Sequence, residues 1–282
     1  MRAKGDILAD VQEAVRSGRT EIHLLGQIVN HYQAPDDPRC DFAQLLETVH
    51  EVPGVHRIRF ASPHPRHTGA RVIEAIRDLP RVCKHIHLPV QSGSTRVLQA
   101  MRRRHTREDY LALLDALREA VPGLLVSTDV IVGFPGETAA DFADTLTLTE
   151  AARYSSMFSF KYSVRPNTLA SKRMPDDVSD ADKTARIVAL QAVQRRIQSE
   201  IHETLVGSVL DVLVDSVSRR ETGQLSGRSD GNTVVSFPLP ADTPDDADRW
   251  VGRLVPVRVT RAGPHSVSGE AVTRTSDRDS SC

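Results

Sequence analysis

Short β-branched runs alternate with amphipathic stretches between residues 21 and 162, and this rhythm constrains the fold more than any other feature of the chain. Such alternation predicts a parallel sheet with helices packed outside it. Candidate strands are Glu21–Gly26, His56–Ala61, Lys84–Pro89, Leu125–Phe134 and Ser155–Tyr162. Between them, Thr106 and Asp109 have capping-box spacing, Leu111, Leu114 and Leu117 follow, and Pro122-Gly123 stops that helix. Thr138 is placed to cap another helix, with Asp141 in its first turn. A helix from about Asp6 to Ser17 precedes the first strand, which predicts a partial barrel with an unpaired edge at Glu21–Gly26.

Composition changes after Tyr162. Ser163–Asp177, with Pro166 and Pro175, reads as a loop, and Ser179 caps a long helix with apolar steps at Leu190, Val193, Ile197, Ile201 and Leu205, closed by Gly207. Five short runs follow: Val209–Val217, Gly223–Arg228, Thr233–Phe237, Leu254–Arg261 and Val267–Val272, a pattern that predicts a small antiparallel barrel. An acidic loop, Pro240–Asp248, interrupts it. The organisation read from the sequence is therefore an α/β partial barrel (1–165), a linker and long helix (166–205), an all-β barrel (206–272) and a disordered tail (273–282).

The balance of 36 basic and 37 acidic residues leaves nucleic-acid contact to a local patch. No apolar run is long enough to span a bilayer and no signal-peptide core follows Met1, so a cytoplasmic protein without membrane contact is the expectation. The three cysteines, Cys40, Cys83 and Cys282, form no CxxC or CxxxCxxC grouping, and no metal site is predicted.

Four strand ends carry small or polar residues, which is how a barrel's ligand face reads. The sharpest is Val132-Gly133-Phe134-Pro135-Gly136-Glu137-Thr138, where glycines permit close backbone approach to a ligand or serve only a tight turn. Gln91, Ser92 and Ser94 follow His85 and His87, which read as structural or pocket-lining histidines. Gly26 and Gln27 end the first strand, and Ser62 and His64 the second. Arg102-Arg103-Arg104-His105 reads as a solvated patch or a phosphate contact.

Taken together, LLGQIVN (Leu24–Asn30), RIRFASPHP (Arg57–Pro65), HLPVQSGS (His87–Ser94), STDVIVGFPGET (Ser127–Thr138) and SVRPNTLA (Ser163–Ala170) resemble the radical-SAM methylthiotransferases of the MiaB/RimO family, in its tRNA-modifying branch. LSGRSDGNTVVSF (Leu225–Phe237) is similar to that family's RNA-binding TRAM domain. The resemblance implies a radical-SAM partial TIM-type barrel and a TRAM-like barrel. It implies a transferase that methylthiolates C2 of N6-isopentenyladenosine beside the tRNA anticodon. S-adenosylmethionine would be both radical source and methyl donor, with [4Fe–4S] clusters as the other cofactor.

By motif match, Gly26, Gln27, Gln91, Ser92, Ser94, Val132, Gly133, Phe134, Gly136, Glu137 and Arg165 bind the cofactor, and Arg219, Arg220 and Arg228 contact tRNA; no catalytic residue is assigned. Ile28 and Asn167 stand where the family more often has Asn and Gly. The family's N-terminal domain and CxxxCxxC segment have no counterpart in this sequence. Three readings remain open: an enzyme whose cluster-binding part is a missing N-terminal segment or second chain, a non-catalytic tRNA-binding fragment or degenerate relative, and an unrelated (β/α) enzyme with an appended barrel.

Overall fold

A computed structural model describes residues 1–166, 169–217, 223–239 and 247–272. The chain divides into two compact units, Met1–Gln198 and Ser199–Cys282, each with its own apolar core.

The first unit runs α1 (Lys4–Arg16), β1 (Glu21–Leu24), α2 (Phe42–His50), β2 (Arg57–Phe60), α3 (Ala70–Asp78), β3 (His85–His87), α4 (Thr95–Ala100), α5 (Arg107–Ala120), β4 (Leu125–Val132), α6 (Ala139–Ala152), β5 (Ser156–Lys161) and α7 (Leu169–Arg173). Helix α8 (Asp180–Thr204) follows and crosses the division between the units. Strands β1 and β2 pair in parallel, as do β3, β4 and β5. A bridge between Ile58 and Val82 joins the two sets: the Ile58 N–H donates to Arg81 O (2.7 Å) and the Cys83 N–H to Ile58 O (3.0 Å). The strand order therefore follows the chain order, as in a partial (β/α) barrel.

Period-two alternation gives this sheet two unlike faces. Ile22, Leu24, Ile58, Phe60, Ile86, Val126, Val130 and Val132 are buried in the apolar core. The alternate positions carry Glu21, His23, Arg57, Arg59, His85, His87, Ser127 and Asp129. Both predicted caps form: Thr106 with Asp109 and Thr138 with Asp141 each make a complete capping box. Among the described residues β1 pairs with β2 alone, and no helix is long and apolar enough to cross a membrane.

The second unit contains β6 (Val209–Val217), β7 (Gln224–Ser229), β8 (Val234–Pro238), β9 (Leu254–Ala262) and β10 (Val267–Ala271), closed into a barrel in the order β10-β8-β7-β6-β9. Val212, Val214, Leu225, Val235, Phe237, Val257, Val259 and Val267 fill it. Gly207, with φ of +88°, ends the preceding helix as its position predicted.

Two expectations need correction. The barrel is not wholly antiparallel: β10 pairs with β8 in parallel. An odd number of strands cannot close with every neighbouring pair opposed, so five strands require one parallel pair. Ser163–Asp177 is not all loop, because α7 lies inside it; Pro166 and Pro175 bar a helix only at their own positions and leave one turn between them. The Pro240–Asp248 loop lies mostly outside the described residues, as do the expected tail and Cys282; the loop's last residues form a 3₁₀ turn, Ala247–Trp250.

Candidate functional site

The carboxyl ends of β3, β4 and β5 border a cavity of about 780 Å³, a size suited to a nucleoside-like ligand. Ile131, Phe134, Phe160, Met101 and Met174 give it apolar walls, and Gln91, Asp129, Arg103 and Arg165 place polar groups in it.

Asp129 reaches the cavity because β4 alternates. Ser127, Asp129 and Ile131 share the face opposite Val126, Val130 and Val132. Ser127 Oγ meets both His85 Nε2 (3.0 Å) and His87 Nδ1 (2.9 Å), and His87 Nε2 lies 3.4 Å from Asp129 Oδ1. The two histidines are thus tied into a polar chain along the sheet. Burial lowers the pKa of Arg103, and the Asp129 carboxylate counters that effect.

Gln91 is the one predicted polar residue after β3 that lines the cavity. Its φ of +77° is a left-handed conformation uncommon outside glycine. Two sheet-like bonds impose it: the Gln91 N–H donates to Asp129 O, and Gln91 O accepts from the Ile131 N–H, each at 2.9 Å. Strain of this kind persists only where the surroundings over-determine it.

The glycine-rich loop after β4 is held from below and behind. Gly133 and Gly136 have φ of +71° and +77°. A side chain on Gly133 would strike Lys183, whereas one on Gly136 would meet open space. The Gly136 N–H donates to Asp177 Oδ1 (2.7 Å). Glu137 is buried, and its carboxylate accepts from the Gly133 N–H (2.9 Å) and Arg186 Nη1 (2.7 Å). Burial nevertheless pushes its pKa up. Asp141 accepts from Ser94 Oγ (2.6 Å), the Thr138 N–H (2.8 Å) and the Arg96 guanidinium. Burial would raise its pKa, but these donors hold it well below the usual carboxylate range.

The predicted residues therefore separate. Gln91, Phe134 and Arg165 line the cavity. Ser92 and Ser94 are buried within the loop: Ser92 Oγ accepts from the Ser94 N–H (3.2 Å), and Ser94 caps α4. Val132 is buried in β4, and Gly133, Gly136 and Glu137 form the loop's frame. Gly26 borders a different groove, along β1, and Gln27 lies in the exposed turn beside it. Arg228 is exposed on β7, 3.9 Å from Asp215 Oδ2, while Arg219 and Arg220 lie outside the described residues.

Sequence reading missed Asp129 and Arg103 as site residues. Strand alternation pointed to the first; nothing local pointed to the second. Arg103 belongs to a basic run whose half-buried member only the packing selects. His105, two residues on, is buried, with its ring 5.8 Å from that of His64. Burial first, then Arg103 and His105, bring the His64 pKa down to about 4.

The two described cysteines, Cys40 and Cys83, do not suit an iron–sulfur cluster. Cys40 and Cys83 are buried, and burial raises the Cys40 pKa. No three His, Cys, Asp or Glu side chains among the described residues are grouped to hold a metal ion.

Residues 203–272 match the TRAM domain. Curated relatives named tRNA-2-methylthio-N(6)-dimethylallyladenosine synthase are similar over nearly the whole chain. The protein of Solibacter usitatus is 43% identical over 270 residues, covering 96% of this chain and 60% of its own length. That of Thiobacillus denitrificans is 45% identical over 270 residues, covering 95% of this chain and 59% of its own. This chain thus spans about three-fifths of the length of the curated relatives it matches. Residues 2–149, more than half of the chain, match the Radical SAM superfamily, and the chain belongs to that superfamily.

Proposed function

We propose that this chain holds the nucleoside end of S-adenosylmethionine in the first unit and tRNA on the second. The reaction it serves is methylthiolation at C2 of N6-isopentenyladenosine beside the anticodon, in the cytoplasm. The carrying observation is identity of 40% or more with synthases of that name over nearly the whole chain. The cavity supports the reading, because its dimensions and mixed lining suit an adenine nucleoside.

When bound, S-adenosylmethionine supplies a 5′-deoxyadenosyl radical and a methyl group. The chain's own residues do the positioning. Phe134 and Ile131 cover the heterocycle, Gln91 offers it an amide, and the loop from Val132 to Glu137 sets the wall against which it rests. Ser92 and Ser94 shape the loop beside that pocket, Gly26 and Gln27 lie at the separate groove along β1, and Arg165 faces the substrate. Met101 and Met174 exclude water, so that polar contacts inside act in a low dielectric. Arg219, Arg220 and Arg228 contribute phosphate contacts.

The described residues offer no set of side chains that fits an iron–sulfur cluster. We assign its thiolates to a further segment or a second chain. The same observation favours one other reading, a tRNA-binding fragment without chemistry.

Two measurements separate them. Calorimetry with S-adenosylhomocysteine should show saturable binding that weakens at least fivefold in Phe134→Ala; no binding would remove the cofactor assignment. Fusing the chain behind the cluster-binding portion of one of its relatives should restore 2-methylthio groups on tRNA, read by mass spectrometry of nucleosides. A folded, cluster-loaded fusion that leaves tRNA unmodified would favour the fragment.

A further inference from the structure

The chain has a single tryptophan, in a sequence with only 4% aromatic residues. That residue, Trp250, ends the 3₁₀ turn before β9 and packs partly against the core of the second unit. The segment is pinned to β6: the Gly252 N–H donates to Val214 O (2.9 Å) and the Val214 N–H to Arg253 O (3.0 Å). The Arg253 guanidinium lies over the indole, 5.8 Å from the ring centroid. Arg253, Val251 and Leu254 are exposed around it.

From Arg249 to Gly269 the sequence holds four arginines, Arg249, Arg253, Arg258 and Arg261, and no carboxylate. Along β9, Val255, Val257 and Val259 point into the barrel, so Arg258 points out. Strict alternation would turn Arg261 inward with the valines. A register shift opposite Ser268 and Gly269 adds one residue to β9 at this point. Arg261 is consequently exposed on the same side as Arg258. Bulges often re-aim a side chain in this manner. Acidic groups flank the row on the neighbouring strands, with Asp211 of β6 opposite Pro256 and Glu270 of β10 opposite Arg258.

We infer that this outer face of the second unit is a track for single-stranded RNA. One base stacks on the Trp250–Arg253 pair, and successive phosphates meet Arg253, Arg258 and Arg261. Planar guanidinium and aromatic groups accept unstacked bases of any identity, and arginines supply the charge-dependent part of binding. The nine residues of β9 span roughly 30 Å. That is room for several nucleotides, within the range of about 4–16 that one small barrel covers. The flanking acids confine the backbone to β9. The track differs from the contacts proposed for Arg219, Arg220 and Arg228, and it rests on the reading of this protein as one that acts on RNA.

Because Trp250 is the sole tryptophan, its emission reports this site alone. The probe is a twelve-nucleotide oligouridylate, which needs no cofactor and is no substrate for methylthiolation, so failure here and failure of the proposed reaction are distinguishable. Titrating the full chain should change Trp250 emission saturably, in parallel with the anisotropy of a labelled oligonucleotide. Arg258→Ala and Arg261→Ala should each reduce the slope of log K against log salt by about 0.7. Trp250→Phe, checked for folding by circular dichroism, should weaken anisotropy-measured binding severalfold. Binding that leaves Trp250 emission unmoved, or salt slopes in both arginine variants unchanged from that of the unsubstituted chain, would overturn the track; so would absence of binding. The arginine variants remain decisive if Trp250→Phe does not fold, since both side chains are exposed.

Discussion

Asp141 shows how much of this site is framework built one residue at a time. Its carboxylate joins the cap of α6 to Ser94 and Arg96 on the neighbouring loop. An amide in its place cannot accept at both oxygens. Asp141→Asn should therefore cost about 2 kcal/mol, read as a shifted urea midpoint with an unchanged slope. Two other residues contribute to the acid sensitivity of the first unit. Burial lowers the His64 pKa from its ordinary 6.5 to about 4, so the folded state keeps this imidazole neutral. Its contribution is complete above pH 6.5 and is lost as pH falls from 6.5 towards 4. For Glu21, burial acts to raise the pKa, but His23 and Arg59 hold it down at about 2. Its contribution is complete above pH 4.5 and lost only between 4.5 and 2. Melting temperature should thus fall in two stages on acidification. His64→Gln should flatten the first stage only; an unchanged profile between pH 6.5 and 4 would refute the assignment.

At the scale of elements, two glycines of the ligand face do different jobs. Gly93 packs against α6: its N–H donates to Thr145 Oγ1 (3.0 Å), and a Cβ would collide with the backbone of Asp144 and Thr145. Neither helix nor loop can yield locally, so Gly93→Ala should destabilise by roughly 1–3 kcal/mol. Gly136 has open space where a Cβ would stand and needs glycine only for its positive φ. Gly136→Ala should cost about 1 kcal/mol. Chemical denaturation of the two variants ranks them, and equal losses would mean that the α4–α6 contact is looser than it looks. In the barrel, Gly227 and Gly269 repeat the first case, each facing the backbone of a neighbouring strand.

For the whole molecule the consequential feature is the side of β1 that no other described strand pairs with. Leu25 is 75% exposed and Ile28 42% exposed at its end, beside a groove of about 650 Å³ that Ile7, Val11 and Ile22 help to line. An unpaired strand edge next to exposed apolar side chains is a template for association. The chain should self-associate as its concentration rises. Replacing both Leu25 and Ile28 with Lys should reduce light scattering at equal concentration without lowering the melting temperature. Scattering that stays the same would show that association, if present, uses another surface.

Local chemistry in the sequence was enough for the parallel sheet, both capping boxes, the stop at Gly207 and the five-strand second unit. Each depends on residues a few positions apart: period-two valines, Thr106 with Asp109, Thr138 with Asp141, and a glycine at a helix end. The motif from Val132 to Thr138 likewise announced a strand end and a helix start. Which of its residues face a cavity was a different matter, because burial and partners come from segments far away in the chain. Ser94 is spent on Asp141 and Glu137 on Arg186, while Arg103 is half-buried at the cavity that Asp129 also lines. Only the closed ring of strands made one parallel pair unavoidable, and only the bulge in β9 turned Arg261 outward. The sequence by itself determined the elements, since those follow from contacts within a turn or along a strand. The tertiary structure decided which polar residues became site and which became scaffold, since that choice depends on long-range burial.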